Sequence, residues 1–514
     1  MSTEKSNRPI RAAFIHPDLG IGGAERLVVD AALGLQEQGY EVKFFTSHCD
    51  KTHCFEEIAD GTLKVEVFGD ELPTNIGNKF FIVFANLRQL YLVWQLYRTK
   101  QLDHYDIYIV DQLSTCLPIL HIISRAKLLF YCHFPDMFLS QRTSFVKQMY
   151  RIPFDLFEQF SLSCADKLVV NSKFTRSMYH KAFKLLRSEP EVVYPCVDLA
   201  FTPIEDVDRK LYDLMIGNDD KYFLSINRYE GKKNIKLALR SFALSRESSN
   251  EHSKLVIAGG YDSVVLENVN YLKELEEEAK ALKIPYTTIH YADFAKNKDF
   301  ATIDALDKKI IFLTSISTSL KELLLSNMEM LLYTPTNEHF GIVPLEAMKH
   351  GKPVLATNTG GPLETVVSYI PRKNEDETTG WLRAPIPGSW SNVINDFESC
   401  SGIDFKSNGE KRLKKYYTRD VMTSEFERHI DSIVWKPKTK HYWENIVFAL
   451  FRLIIHGIIV TVMPGASLPF AFLAGLSLLY FHDGMGTLYW GFIFFLTSDL
   501  FASLFSEEKM QSTI

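Results

Sequence analysis

The sequence predicts an α/β protein: two doubly wound, parallel-sheet domains in series, followed by an apolar C-terminal region. Three observations carry this. Short apolar runs alternate with helix-period stretches over residues 10–200, and the alternation restarts at residue 222. That pattern is the mark of parallel strands joined by covering helices. Several of the runs end in loops rich in glycine, histidine or carboxylate, and such folds bind ligands at the carboxyl ends of their strands. Finally, between Asn445 and Phe505 the only formal charges are Arg452, Asp483 and Asp499.

In the first domain the strand candidates are Arg11–His16, Glu41–Thr46, Lys64–Phe68, Ile107–Val110, Lys127–His133, Lys167–Asn171 and Glu191–Tyr194, with a helix over Gly22–Gln38. Phe80–Arg98 is long, aromatic and apolar, with Arg88 as its internal charge. Arg88, Asn86, Gln89 and Gln95 argue against a membrane span, which leaves an interfacial or partly exposed helix, or ordinary core packing. Pro203–Asp220 is polar and reads as a linker. The second set of strands is Tyr222–Ile226, Leu255–Ala258, Thr287–His290, Ile310–Leu313, Met330–Tyr333 and Pro353–Ala356, then a helix over Tyr417–Trp435. The divisions are therefore 1–202, 203–416, a returning helix and basic linker at 417–440, and a membrane-associated tail at 441–514. The tail breaks at Pro464-Gly465 and Asp483–Gly486. Ile446–Met463 and Met485–Phe505 approach the roughly 20 apolar residues a bilayer span needs. Lys436, Lys438 and Lys440 precede the first piece, which places that end and everything before it on the cytosolic side.

A chain of 514 residues exceeds one compact core. The net charge of −6 and the lack of a Lys/Arg stripe give no reason to expect nucleic acid. Seven scattered cysteines, with Cys49 and Cys54 lacking a matching second pair, read as reduced thiols rather than a zinc site. The polar Met1–Pro9 stretch and the short run Ala12–Ile15 give no secretory leader pattern.

The chemistry concentrates in six places. Glu338-His-Phe-Gly-Ile-Val-Pro-Leu-Glu346 follows an apolar run and enters a helical pattern. Gly341 lets the backbone approach a ligand closely, and the helix start at Ile342 and Val343 favours phosphate. Glu338 in the loop and Glu346 one turn into the helix can face one ligand, and carboxylates accept hydrogen bonds from the hydroxyls of a sugar nucleotide. His16-Pro-Asp-Leu-Gly-Ile-Gly22-Gly23-Ala-Glu25 is a glycine loop entering a helix, suited to phosphate but not the dinucleotide fingerprint. Tyr131-Cys-His133-Phe-Pro-Asp136 ends a strand. Arg228 and Lys233 follow the first strand of the second domain and suit a diphosphate leaving group. Gly259-Gly260 and Gly360-Gly361 are either cleft-lining or simple turns. No Asp-x-Asp motif sits at a convincing strand end, so no essential metal or other cofactor is predicted.

The Glu338–Glu346 segment resembles the signature of the retaining GT-B glycosyltransferases that use nucleotide sugars, with Gly341, Pro344 and Ala347-Met348 in register. The resemblance implies two Rossmann-like domains facing a cleft. It implies that Glu338 contacts the transferred sugar and Glu346 the ribose, that His133 hydrogen-bonds the donor sugar, and that Gly22-Gly23 closes on diphosphate and acceptor. Asp136 becomes an acceptor-binding residue or base. With Tyr194-Pro-Cys-Val-Asp198, these motifs are similar to the fungal dolichol-pathway mannosyltransferases of asparagine-linked glycosylation. That similarity implies GDP-mannose as donor and a dolichol-pyrophosphate acceptor bearing two GlcNAc and one β-mannose. It implies transfer first α-1,3 and then α-1,6, on the cytosolic face of the endoplasmic reticulum membrane, with other mannosyltransferases of the pathway as neighbours. Alternatives are a UDP-GlcNAc-dependent membrane transferase, or a non-catalytic membrane scaffold with a vestigial sugar-nucleotide site.

Overall fold

The structure is a computed structural model that describes residues 8–437 apart from 78, 140–144, 187, 299 and 401. The predicted membrane tail lies outside the described residues. Those residues form two seven-stranded sheets, every pairing parallel.

The first sheet contains β1 (Arg11–His16), β2 (Glu41–Thr46), β3 (Lys64–Val67), β4 (Ile107–Asp111), β5 (Lys127–Cys132), β6 (Lys167–Val170) and β7 (Glu191–Val192). Its order is β3-β2-β1-β4-β5-β6-β7. Central strands such as Ile-Tyr-Ile-Val-Asp in β4 are buried throughout, because helices cover both faces, whereas the edge strand β3 is part exposed. The second sheet contains β8 (Lys221–Ile226), β9 (Ser253–Gly259), β10 (Tyr286–His290), β11 (Ile310–Thr314), β12 (Met330–Tyr333), β13 (Val354–Thr357) and β14 (Gly380–Arg383), in the order β10-β11-β9-β8-β12-β13-β14. In both sheets the strand order reverses beside the first strand, at β1/β4 and at β8/β12.

The strands agree with the sequence expectation to within a few residues at their ends, but β14 was not anticipated. Pro203–Asp220 is also corrected. It contains the helix Asp206–Met215, which buries Asp208, Leu211 and Met215 against the second sheet. The Tyr417–Trp435 expectation is met by the helix Arg419–Val434, which returns to the first sheet. Met422, Phe426, Ile430 and Ile433 join the core on one face of that sheet. This helix crosses Gly23–Glu37 so closely that a Cβ at Gly34 would lie 1.9 Å from Thr423 Oγ1.

The helix Phe81–Arg98 packs Leu92, Val93 and Leu96 into the core and buries polar side chains beside them. Arg88, Gln89 and Gln95 are buried, while Phe81, Leu87, Trp94 and Tyr97 are exposed. Arg88 donates to the carbonyls of Gly69 (3.0 Å) and Ser47 (2.8 Å) and reaches Asp70 at 3.1 Å. Gln89 donates to Leu113 O and accepts from Cys116 N. The polar residues that argued against a span are therefore structural braces facing inward. Among the described residues no helix is long and apolar enough to cross a membrane.

Candidate active site

Register builds the first half of the site. Ile15 of β1 is level with Val110 of β4, and Asp111 is level with Tyr131 of β5. Side chains alternate along a strand, so His16, Asp111, Tyr131 and His133 share one face at the carboxyl edge. The Asp111 carboxylate is buried there between two imidazoles: Oδ1 is 2.8 Å from His16 Nδ1, and Oδ2 is 2.8 Å from His133 Nε2. Glu25 Oε1 lies 3.5 Å from the other nitrogen of His16. Burial alone would discharge His16, but Asp111 and Glu25 outweigh it and push the imidazole up to about 10. Burial likewise opposes the charge on Asp111 and Glu25, yet the histidines hold both below the usual carboxylate range.

The glycine loop stands beside this array. Gly22 precedes the helix Gly23–Glu37, and a Cβ on Gly22 would lie 2.2 Å from the Glu25 carboxylate, while one on Gly23 would meet open space. Asp136 lies farther along. Its carboxylate is held by Arg151 and its N–H donates to Glu158 Oε1. It lines a narrow cleft with Asn86, Ser114, Thr115, Phe157 and Glu158. Burial, then the neighbouring Asp136, pushes Glu158 up to about 8.

The second half forms at β8/β12. Past β8, Arg228 is 64% exposed and rests on Glu230 at 3.2 Å. Lys233 instead reaches across to Glu338, with Nζ 2.6 Å from Oε2. Past β12, the loop 334–342 leads into the seven-residue helix Val343–Lys349, with Ile342 as its N-cap. Gly341 has φ +84°, a conformation that penalises any side chain, and its α-carbon faces Tyr333. Glu346 Oε1 accepts from Lys321 Nζ at 2.6 Å, whereas its Oε2 is buried with no hydrogen-bond partner among the described residues. Gly361 lies under the same loop: its N–H donates to Glu338 O at 2.7 Å, and a Cβ there would sit 2.1 Å from Phe340 O. The Gly360-Gly361 turn thus supports the Glu338 loop.

The two halves meet. The Phe134 and His339 rings stack at 3.7 Å and 7°, and Ser172 Oγ donates to His339 O at 2.6 Å. Glu364 accepts from the N–H groups of Lys173 and Phe174, each at 2.8 Å, and from Tyr194 OH. His133 and Glu338 therefore stand next to residues in direct contact. Burial, then Lys233 and the other nearby cations, depress His339 to about 4 despite Glu338. Among the described residues no group of His, Cys, Asp or Glu is arranged to hold a metal ion.

Residues 21–201 match Glycosyltransferase Family 4, and residues 208–417 match Glycosyl transferases group 1. A protein of Saccharomyces cerevisiae named α-1,3/1,6-mannosyltransferase ALG2 is 52% identical over 497 residues, covering 96% of this chain and 98% of that protein. The chain belongs to the α-1,3/1,6-mannosyltransferase family. Members of the same name in Kluyveromyces lactis (50% identical, 94% of this chain and 97% of that protein) and Schizosaccharomyces pombe (43%, 98% and 97%) agree. The fold is shared with sucrose-phosphate synthase from Thermosynechococcus elongatus (TM-score 0.62, 18% identity, 82% of this chain and 99% of that one). It is shared also with Anabaena HepE in complex with UDP and glucose (TM-score 0.58, 18%, 82% and 100%). The α-1,3/1,6-mannosyltransferase family thus has the GT-B architecture here: two Rossmann-like sheets with their carboxyl edges meeting. Asp111 and Lys321 were not anticipated from the sequence, and Glu25 stood there only as the end of the glycine-loop motif, with no role of its own. Only strand register and helix contact bring them to the site.

Proposed function

We propose that the protein transfers mannose from GDP-mannose to a dolichol-pyrophosphate-linked oligosaccharide, first in α-1,3 and then in α-1,6 linkage, on the cytosolic face of the endoplasmic reticulum. Family membership across nearly the whole chain is the observation that carries this reading. In it Glu338 orients the transferred mannose, Glu346 holds the ribose through its unpartnered oxygen, and Lys233 with Arg228 stabilises the charge that develops on the departing diphosphate. Configuration is retained by attack on the face the diphosphate leaves, with that diphosphate taking the acceptor proton. His133 contacts the donor sugar. Asp136, already engaged by Arg151, suits acceptor binding better than proton abstraction. The outward apolar face of Phe81–Arg98 and the exposed Met149, Ile152 and Leu156 of the helix Phe145–Leu162 support work at a lipid surface.

The experiment is the full-length protein in detergent with GDP-mannose and a lipid-pyrophosphate trisaccharide, followed by linkage analysis. Sequential α-1,3 and α-1,6 products are expected. Transfer from UDP-GlcNAc in place of GDP-mannose, or GDP binding without turnover, would overturn the proposal.

A further inference from the structure

We propose that Asp111 is a positioning residue for the transfer: it holds His133 by Nε2, so that Nδ1 meets a substrate hydroxyl as a hydrogen-bond acceptor. This rests on the mannosyl-transfer reading of the site.

A carboxylate only accepts hydrogen bonds, so the His133 nitrogen 2.8 Å from Asp111 Oδ2 carries the proton. Nδ1 of His133 makes no hydrogen bond among the described residues. In the neutral ring that nitrogen keeps its lone pair, and a hexose presents hydroxyls that donate to it. The Tyr131 ring, 4.9 Å away, packs against the imidazole and limits its rotation.

The carboxylate is built for two partners. His16 Nδ1 reaches both oxygens, at 2.8 and 2.9 Å, and Oδ2 also takes the partly exposed His133 ring at 2.8 Å. A buried carboxylate demands a compensating charge. His16 is fully buried and supplies it, and Glu25 faces His16 in turn. Asp111 can therefore accept from His133 without that ring having to be a cation. The line Glu25, His16, Asp111, His133 starts three residues past Gly22 and ends at the Phe134–His339 contact, so it ties the glycine loop to the reaction centre.

The test uses the full-length protein as wild type, Asp111→Asn, His133→Ala and the double variant. Transfer from GDP-mannose gives kcat and donor KM, and [15N]histidine NMR reads the tautomer of His133. Asp111→Asn should lower kcat at least about tenfold while donor KM stays within about threefold, because ring misplacement acts on the transition state. The double variant should be no slower than His133→Ala, and the Nε2–H tautomer should be lost in Asp111→Asn. Losses that multiply, turnover within about twofold of wild type, or an unchanged tautomer would each overturn the inference. If Asp111→Asn leaves His16 unbalanced and unfolds the protein, His16→Asn/Asp111→Asn removes both charges. That pair should fold and stay slow, and wild-type turnover by it refutes the proposal. Should the wild type transfer no mannose, the functional reading falls, and the tautomer measurement still decides the role of Asp111.

Discussion

The two sheets share one topology and place their loops at the same point, beside the strand where the order reverses, yet the chemistry at the two points differs. At β1/β4 the centre is the fully buried pair Asp111 and His16, flanked by the partly exposed His133 and Glu25. At β8/β12 each carboxylate has a partly exposed lysine of its own, Lys233 on Glu338 and Lys321 on Glu346. A buried carboxylate–imidazole array is costly to disturb, so it fixes geometry before any ligand arrives. A lysine–carboxylate pair at the cleft, with neither partner sealed in the core, can exchange its contact for a ligand anion more readily than a fully buried pair can. A diphosphate can draw Lys233 to itself and release Glu338 to the sugar hydroxyls. The first half is thus a preset frame, and the second half is a set of contacts a donor can take over.

The largest effect should follow from breaking the exchangeable half. Lys233→Ala removes a cation from the leaving group and leaves Glu338 unpaired. A loss of about 100-fold in kcat/KM, or about 2.7 kcal/mol, is expected in the mannosyl-transfer assay. Arg228→Ala should cost less, because that guanidinium is exposed and rests on Glu230. Equal losses would mean that the Lys233–Glu338 contact has no special part in the reaction.

How far the site could be read from the sequence follows the same division. Glu338, Arg228 and Lys233 lie in strand-end segments, and Glu346 in the first turn of the helix that follows Glu338, where the local residue pattern is informative. Asp111 has no such pattern. It is one aspartate at the end of an apolar strand, and it acquires partners 95 and 22 residues away only through register. Lys321 is likewise an ordinary lysine on a helix until Glu346 is placed 2.6 Å from it. The strands were legible from their apolar runs. The helix Asp206–Met215 was not, because its charges masked Val207, Leu211 and Met215 at helical spacing. The strand β14 is four residues at a sheet edge, too short for a clear alternation. In Phe81–Arg98 the polar residues were visible, but which way they faced depended on the carbonyls of Ser47, Gly69 and Leu113.

The preset half should show itself in pH. Folding raises His16 from 6.5 to about 10. A raised pKa means that this group's stabilisation is complete below about pH 6.5 and is lost as pH rises through about 10. Wild-type melting temperature should therefore fall over that window, and His16→Gln, which has no such group facing Asp111 and Glu25, should melt lower with a flatter profile. Parallel profiles would show that the array does not carry the charge assigned to it.

Smaller effects should separate the two sides of Phe81–Arg98. Leu87→Ser and Trp94→Ser change exposed positions and should shift stability by less than about 0.5 kcal/mol. Arg88→Ala leaves buried carbonyls without a donor and should cost about 1–3 kcal/mol. Denaturant unfolding of the three variants checks this. Partition of the serine variants onto liposomes, expected to be weaker than wild type, checks the outward apolar face.

The central claim is that the two halves act on one sugar in one reaction. The most direct measurement is a double-variant cycle between them: mannosyl transfer by wild type, His133→Ala, Glu338→Gln and the double variant, compared as transition-state free energies. Each single change should cost at least about tenfold, or about 1.4 kcal/mol. The double variant should lose clearly less than the sum, because both residues orient the same bound mannose. Strictly additive losses would contradict the account and place His133 and Glu338 in separate events.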